Sequence, residues 1–326
     1  MTAHEIGNTI DSRRGIRRVA IIGMGAVGSA FAFSLIQEGR VRELLFVDKD
    51  HRRAEGQLMD LSHCLPWGRP IKIEIGDLDS AAECDMVVIT AGAAQKPGES
   101  RIDLVKRNAE IYSEFFPRLP KVNPRGLFVI ITNPVDVMTR LALNLSHISP
   151  EQVFGTGTML DTGRFRFLLS LHLKIDPRNI HAYVIGEHGD SEVLVWSRAD
   201  VGPFRLEEYG ELTGRPITSD VKERITAGVK TAAYEIIERK GATNFAIGLA
   251  TEKLFESVTY NQGTLQTVSR ALSGAYGFGD LCLSTPCRLH RDGALEPLEI
   301  PLSPDEHKAL MRSAETLDAV YQSLKV

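Results

Sequence analysis

The first half of the chain alternates short apolar runs with stretches of helical period. Arg18–Ile22 is a β-branched run followed at once by glycines. Gly28–Glu38 carries Phe31, Leu35 and Ile36 at helical spacing, and Gly39 ends it. Leu44–Val47 reads as a second short strand, closing on Asp48. Further strands are expected at Ile71–Ile75, Met86–Thr90 and Leu127–Thr132, with helices at about Arg52–Leu61 and Asp103–Phe116. Apolar runs without alternation suit a parallel sheet covered on both faces, so the expected class is α/β with a doubly wound parallel sheet.

The second half changes character. A helix around Leu160–Leu171 is expected, then a strand Ile180–Ile185 running into Gly186-Glu187-His188-Gly189. Long helices should cover about Asp220–Lys240 and Phe245–Glu256, before antiparallel segments near Gln266–Tyr276 and Leu281–Leu289. Ser303-Pro304-Asp305-Glu306 is a capped helix start, and Leu310, Ala314, Leu317, Tyr321 and Leu324 follow as its apolar stripe. The change of pattern divides the chain into a tail at 1–16, a first domain at 17–156 and a second, α+β domain at 157–326. No repeat or low-complexity segment interrupts this plan.

Composition narrows the function. A chain of 326 residues is long enough for two domains, and 43% hydrophobic with 25% charged residues is globular. The formal charge of −4 gives no attraction to nucleic acid, so an anionic ligand must be held by local arginines. The apolar runs are strand-sized, which points away from a membrane, and the polar start Met1–Arg18 lacks the apolar stretch of a signal peptide. Cys64, Cys84, Cys282 and Cys287 have no metal-ligand spacing and read as small hydrophobes in a reducing cytoplasm.

Gly23-Met24-Gly25-Ala26-Val27-Gly28 lies between a strand and a helix, which is the context a dinucleotide fingerprint requires. Gly23 permits the tight turn, Gly25 lets backbone approach a pyrophosphate, and Gly28 lets helix and strand pack closely. The helix N-terminus offers N–H groups to phosphate. Asp48, twenty residues beyond Gly28, can take the ribose hydroxyls and would repel a 2′-phosphate, so NAD is expected over NADP. Arg52 and Arg53 nearby leave an opening for NADP.

Candidate chemistry clusters farther on. His188 alone, at a strand end between glycines, reads as structural. Asp161 and Arg164 change that reading, because three residues apart on a helix they project from one face. A carboxylate beside an imidazole fixes its tautomer and favours the protonated form, and an arginine can fork onto a substrate carboxylate. Gly92–Arg101, small and flexible after a strand, reads either as an ordinary loop or as a lid that delivers Arg101 over a carbonyl.

Gly92–Asn108, Thr132-Asn133-Pro134-Val135-Asp136, Leu160-Asp161-Thr162-Gly163-Arg164-Phe165 and Gly186-Glu187-His188-Gly189-Asp190-Ser191 together resemble the lactate/malate dehydrogenase family, over about residues 17–324. The resemblance implies a Rossmann domain, then an α+β substrate domain, and an NAD-dependent oxidoreductase of 2-hydroxy acids. His188 is then the proton donor and acceptor, Asp161 its partner, Arg164 the carboxylate clamp and Arg101 the mobile polariser. Asn133 would contact nicotinamide and substrate, Thr243 would lie on the substrate pocket, and Gly92 and Ala93 join Gly23, Gly25, Val27, Gly28 and Asp48 along NAD. Gly163 departs from the family, where similar sequences carry alanine or serine.

The lid residue aligned with Gln95 is arginine in malate dehydrogenases, where it pairs with a second carboxylate. A neutral Gln95 leaves that carboxylate without a counter-charge, so pyruvate and lactate are expected; neighbouring Lys96 is the candidate to rescue a dicarboxylate, but one position along a loop it should point elsewhere. Arg166 lies about 200° around the helix from Arg164, and His181 is seven residues before His188, so both should face away from the substrate. The plain reading is an interface salt bridge and a satisfied histidine. Bacterial family members activated by fructose 1,6-bisphosphate are similar at both positions, which implies a homotetramer with an anion site at Arg166 and His181. NAD-dependent glycosidases, a malate-specific enzyme, a non-catalytic NAD-binding regulator and a nucleic-acid binder are the competing classes. The first needs a cysteine-histidine metal site, and the third would be expected to have lost part of the His188 cluster.

Overall fold

A computed structural model describes residues 15–93, 101–119, 123 and 125–324, with backbone alone at Arg101 and Ile102. The first half runs β1 (Arg18–Ile22), α1 (Ala26–Glu38), β2 (Glu43–Val47), α2 (His51–Ser62), β3 (Lys72–Ile75), α3 (Leu78–Ala82), β4 (Met86–Ile89), α4 (Arg101–Phe115), β5 (Leu127–Ile130), α5 (Val135–Ser146) and β6 (Val153–Gly155). Its six strands are parallel in the order β6-β5-β4-β1-β2-β3, the doubly wound arrangement expected. β1, β4 and β5 are apolar on both faces because helices cover both, and two separate buried clusters lie on either side of the sheet.

The second half continues with α6 (Met159–Leu173), β7 (Ile180–His181), β8 (Val184–Ile185), β9 (Val193–Leu194), β10 (Asp200–Val201), β11 (Phe204–Arg205), α7 (Leu206–Leu212), α8 (Ser219–Lys240), α9 (Phe245–Thr259), β12 (Leu265–Ala271), β13 (Cys282–His290), β14 (Gly293–Pro297) and α10 (Pro304–Gln322). β12, β13 and β14 are antiparallel, and Ser269 of β12 pairs with Gly155 of β6. The two halves therefore share one nine-stranded sheet. Side chains of Thr139, Val135 and Ser269 crowd Gly155 so closely that a Cβ there would lie 2.5 Å from Thr139 Oγ1. The junction is locked by packing and by one ladder pair.

Two expectations needed correcting. The helix α5 was not foreseen, although Asp136, Thr139, Arg140 and Asn144 recur at helical spacing; Val135 through Ala142 are all buried, these polar residues to Arg140 included. The strand Ile180–Ile185 is broken, with β7 in a three-stranded sheet and β8 paired to β9. Between them the Ala182 carbonyl accepts a bond from Arg166 Nε at 2.9 Å, which takes that residue out of any ladder. Alternation along one continuous strand therefore does not relate His181 to His188.

The helix α10 forms as its cap predicts. Ser303 accepts from the Glu306 N–H and Glu306 reaches back to the Ser303 N–H. The Glu306 carboxylate also accepts from the Ser197 N–H at 2.9 Å, tying the helix start to the substrate half. Leu310, Ala314 and Leu317 are buried against the first half, and each leucine contributes about 1.5–3 kcal/mol by burial. Cys84, Cys282 and Cys287 are buried and Cys64 partly so, all four as free thiols. Among the described residues no helix is long and apolar enough to cross a membrane.

Gly163 sits exposed within α6, and a Cβ there would meet nothing within 4 Å. Gly163→Ala is expected to stabilise the fold by about 0.5–1 kcal/mol, read as a raised midpoint of denaturant unfolding. An unchanged or lowered midpoint would show that helix propensity does not limit stability there.

Candidate active site

The carboxyl ends of β1, β4 and β5 converge through short polar bonds. Gly23 has φ +102°, and a Cβ on it would strike the Ala91 nitrogen at 2.6 Å. Thr90 Oγ1 donates to the Gly23 carbonyl at 2.6 Å, and Thr132 Oγ1 to the Ala91 carbonyl at 2.7 Å. A Cβ on Gly28 would come within 2.0 Å of the Gly23 carbonyl oxygen, so only glycine lets α1 start against the turn. Gly25 meets nothing within 4 Å and leaves the N-terminus of α1 without a side-chain cap. That opening, with free N–H groups and a positive dipole end, fits the pyrophosphate of a dinucleotide. Asp48 Oδ2 accepts from the Met24 N–H at 2.7 Å and Oδ1 from the Asp50 N–H at 2.9 Å. Its carboxylate is thus held in place by main chain, and each oxygen keeps a lone pair for a ribose hydroxyl. Val27 is half-buried on the first turn of α1.

Asn108 of α4, which the sequence reading missed as a site residue, clamps two of these turns. Its Oδ1 accepts from the Ala93 N–H at 2.8 Å and its Nδ2 donates to the Asn133 carbonyl at 2.9 Å. The Asn133 side chain is exposed at the end of β5, and Gly92 is exposed at the end of β4. Gln95 and Lys96 lie outside the described residues, and Arg101 opens α4 with its backbone alone described.

Beside these turns stand His188, Asp161 and Arg164. Asp161 is 1% exposed; its Oδ2 faces His188 Nδ1 at 2.5 Å and its Oδ1 accepts from Arg164 Nη1 at 2.7 Å. Burial pushes the Asp161 carboxyl up, but the charges and bonds of His188 and Arg164 outweigh it and hold it below the ordinary value. Burial likewise disfavours protonated His188, yet Asp161, with help from the Asp136 charge, raises the imidazole to about 9. Because Nδ1 is taken by Asp161, Nε2 is the nitrogen left for a ligand, and the side chain keeps 24% exposure. Arg164 spends one nitrogen on Asp161, so its remaining donors are the ones available to an anion.

Three elements hold the His188 loop. Ser313 of α10 accepts from the Glu187 N–H at 2.8 Å and lies 3.0 Å from Ser191 Oγ. Lys230 Nζ of α8 donates to the Asp190 carbonyl at 2.8 Å. Asp136, at the start of α5, accepts from the His188 N–H at 2.8 Å. On α6, Thr162 Oγ1 accepts from the Val184 N–H at 2.9 Å, which sets the helix against the strand entering the loop. Buried Glu192 beyond the loop is pushed up to about 8 by desolvation and by the Asp161 charge. Asp136 and Glu187 fall inside motifs quoted above; Ser313 and Glu192 carry no such signal.

Thr243 is half-buried on the connector 241–244 between α8 and α9. Arg166 lies with its guanidinium 5.0 Å from the centre of the Tyr183 ring and bonds to Ala182, whereas His181 is exposed on β7. The arginine thus reaches the residue next to His181. Burial lowers the Arg166 pKa, as expected for a cation held largely by a carbonyl and a ring. Among the described residues no group of three or more metal-ligating side chains could hold an ion.

A turn open to pyrophosphate, beside an imidazole held protonated and an arginine, suits the exchange of hydride and proton, the work of a nicotinamide-dependent dehydrogenase. Comparison with known proteins gives this class a family. The NAD binding domain model of lactate/malate dehydrogenase matches residues 17–155, and the model of its alpha/beta C-terminal domain matches 158–325. The chain belongs to the lactate/malate dehydrogenase family, and its cofactor is NAD. Similar proteins include the L-lactate dehydrogenases of Gloeobacter violaceus, 45% identical over 92% of both chains, and of Thermus aquaticus, 42% identical over 94% of this chain and 99% of the relative. The minor L-lactate dehydrogenase of Enterococcus mundtii superposes with a TM-score of 0.91 at 36% identity, covering 95% of this chain and 99% of the other.

The open space at Gly25 separates binding from folding. Gly25→Ala should leave thermal stability nearly unchanged but weaken NADH binding about tenfold or more, as read by quenching or transfer of fluorescence. An unaltered Kd would place the pyrophosphate elsewhere.

Proposed function

We propose that this protein is an L-lactate dehydrogenase that interconverts pyruvate and L-lactate, with His188 as proton donor and acceptor. The observation that carries the reading is Asp161 bonded at once to His188 and to Arg164. NAD, when bound along the Gly23–Gly28 turn, supplies or accepts the hydride. Asp161 keeps a proton on His188 near neutral pH, so Nε2 can give it to the oxygen of a keto acid as the carbonyl is reduced. In the reverse direction neutral His188 takes the proton from the hydroxyl. The remaining donors of Arg164 fork onto the substrate carboxylate, and Arg101 closes over the carbonyl with the lid. Thr243, Asn133 and Gln95 complete the pocket. The neutral Gln95 and the names of the similar enzymes support lactate over malate.

The same reading assigns a homotetramer and a fructose 1,6-bisphosphate site at Arg166 and His181. Phe167 and Leu171 on α6, Ile237 on α8 and Phe245 and Leu249 on α9 are large apolar side chains left exposed, which a partner subunit would cover. The bond from Arg166 of α6 to Ala182, the residue next to His181, supports the anion site. The domains are taken as 17–156 and 157–326, and the site of action as the cytoplasm.

NADH oxidation with pyruvate is expected to exceed that with oxaloacetate by about a hundredfold, from the cost of leaving one carboxylate unpaired. The opposite order would make this a malate dehydrogenase. Fructose 1,6-bisphosphate should sharpen pyruvate saturation in the native protein and fail to do so in Arg166→Gln. Arg164→Lys should raise KM for pyruvate about tenfold to a hundredfold, whereas Arg101→Gln should chiefly lower kcat. Because the proton donor is protonated His188, pyruvate reduction should hold its rate below about pH 9 and lose it above, while lactate oxidation rises toward that pH. A reduction rate that climbs through pH 9 would remove His188 from that role.

A further inference from the structure

Asp136 is a buried carboxylate at the meeting point of both halves of the molecule. It opens α5, directly after the Asn133-Pro134 turn, and is 1% exposed. Its Oδ2 accepts from the His188 N–H at 2.8 Å, and its Oδ1 accepts from Ser284 Oγ of β13 at 3.1 Å. Ser284 is itself paired to Gly186, two residues before His188, through main-chain bonds of 2.9 and 3.1 Å in both directions. One carboxylate thus joins the start of α5 in the first half to the His188 loop and to the antiparallel strand β13.

We propose that Asp136 is a positioning residue for the reaction, which holds the main chain of His188 through its N–H and stabilises the proton on its imidazole. The proposal rests on the reading of His188 as proton donor. The other charged or titratable groups that act on Asp136 are Glu187 from the same loop and Cys282 from β13, with the hydroxyls of Ser284 and of Ser269 on β12. Arg140, one turn further along α5, points instead at Asp318 and Asp280. His188 is therefore the cation that the Asp136 charge meets. Removing a buried carboxylate from water is costly unless donors and a cation compensate. Burial accordingly pushes the Asp136 carboxyl up, and the donors and His188 limit that rise to about 6. Above that pH Asp136 is charged and favours protonated His188. Below it the carboxyl is neutral, its bond to the His188 N–H weakens, and the imidazole holds its proton less firmly.

Asp136→Asn mimics the neutral form. The test follows ethoxycarbonylation by diethyl pyrocarbonate of the peptide that carries His188, by mass spectrometry of the full-length enzyme across pH. Only neutral imidazole reacts, so the midpoint reports His188 whatever its part in the chemistry. The midpoint is expected to fall by about half a unit to one unit in Asp136→Asn, with kcat for pyruvate lower by about tenfold. The alkaline limb of pyruvate reduction should fall with it. If the modification midpoint moves and the rate limb stays, Asp136 positions His188 as proposed and the role of His188 as proton donor is what fails. A midpoint unmoved in a folded Asp136→Asn enzyme overturns the proposal, since a merely structural bond would cost rate or stability without shifting the titration. Should that variant not fold, Ser284→Ala removes one donor from the carboxylate. Protonation of Asp136 then moves to higher pH, and the acid-side step in His188 modification must move with it; a stationary step overturns the proposal equally.

Discussion

Asp161 is a carboxylate almost wholly withdrawn from water, and such a charge is tolerable only when other groups replace the water it has lost. Two do, the imidazole of His188 and the guanidinium of Arg164, one on each oxygen. The demand is mutual. The buried anion holds a proton on a histidine that burial alone would strip, and it fixes which ring nitrogen stays free. It also anchors an arginine within reach of whatever anion occupies the site. Most of the surrounding structure keeps this trio aligned. Thr162 sets α6 against β8, Ser313 and Lys230 hold the two flanks of the His188 loop, and Asp136 accepts from its main chain at His188.

The shared sheet makes that alignment possible. A Rossmann half places its ligand at the carboxyl ends of its strands, where Gly23, Ala91 and Thr132 meet. His188, Asp161 and Arg164 belong to the other half. Were the halves joined only by a linker, their relative position would vary by more than a hydrogen bond tolerates. Continuity of β6 into β12, close packing at Gly155 and the return of α10 onto the first half replace that freedom with a fixed frame.

The parallel strands, the glycine turn and the capped final helix were legible because each is a local matter: a period, a tight turn, a serine placed three residues before a glutamate. The trio was legible as residues because the helical spacing of Asp161 and Arg164 and the glycines around His188 survive in one dimension. The polar positions of α5, Asp136, Thr139 and Arg140, are buried rather than turned to water, and the break between β7 and β8 depends on Arg166, sixteen residues before the carbonyl it captures. The roles of Asn108, Asp136, Ser313 and Glu192 arise from contacts between segments 15 to 148 residues apart, or from burial that no neighbour in sequence reveals. The sequence by itself therefore determined the family, the glycine turn and the chemical groups. Only the tertiary structure decided which oxygen meets which nitrogen, how far each charge is withdrawn from water and hence where each proton resides, because these depend on distance and dielectric, which the order of residues along the chain does not contain.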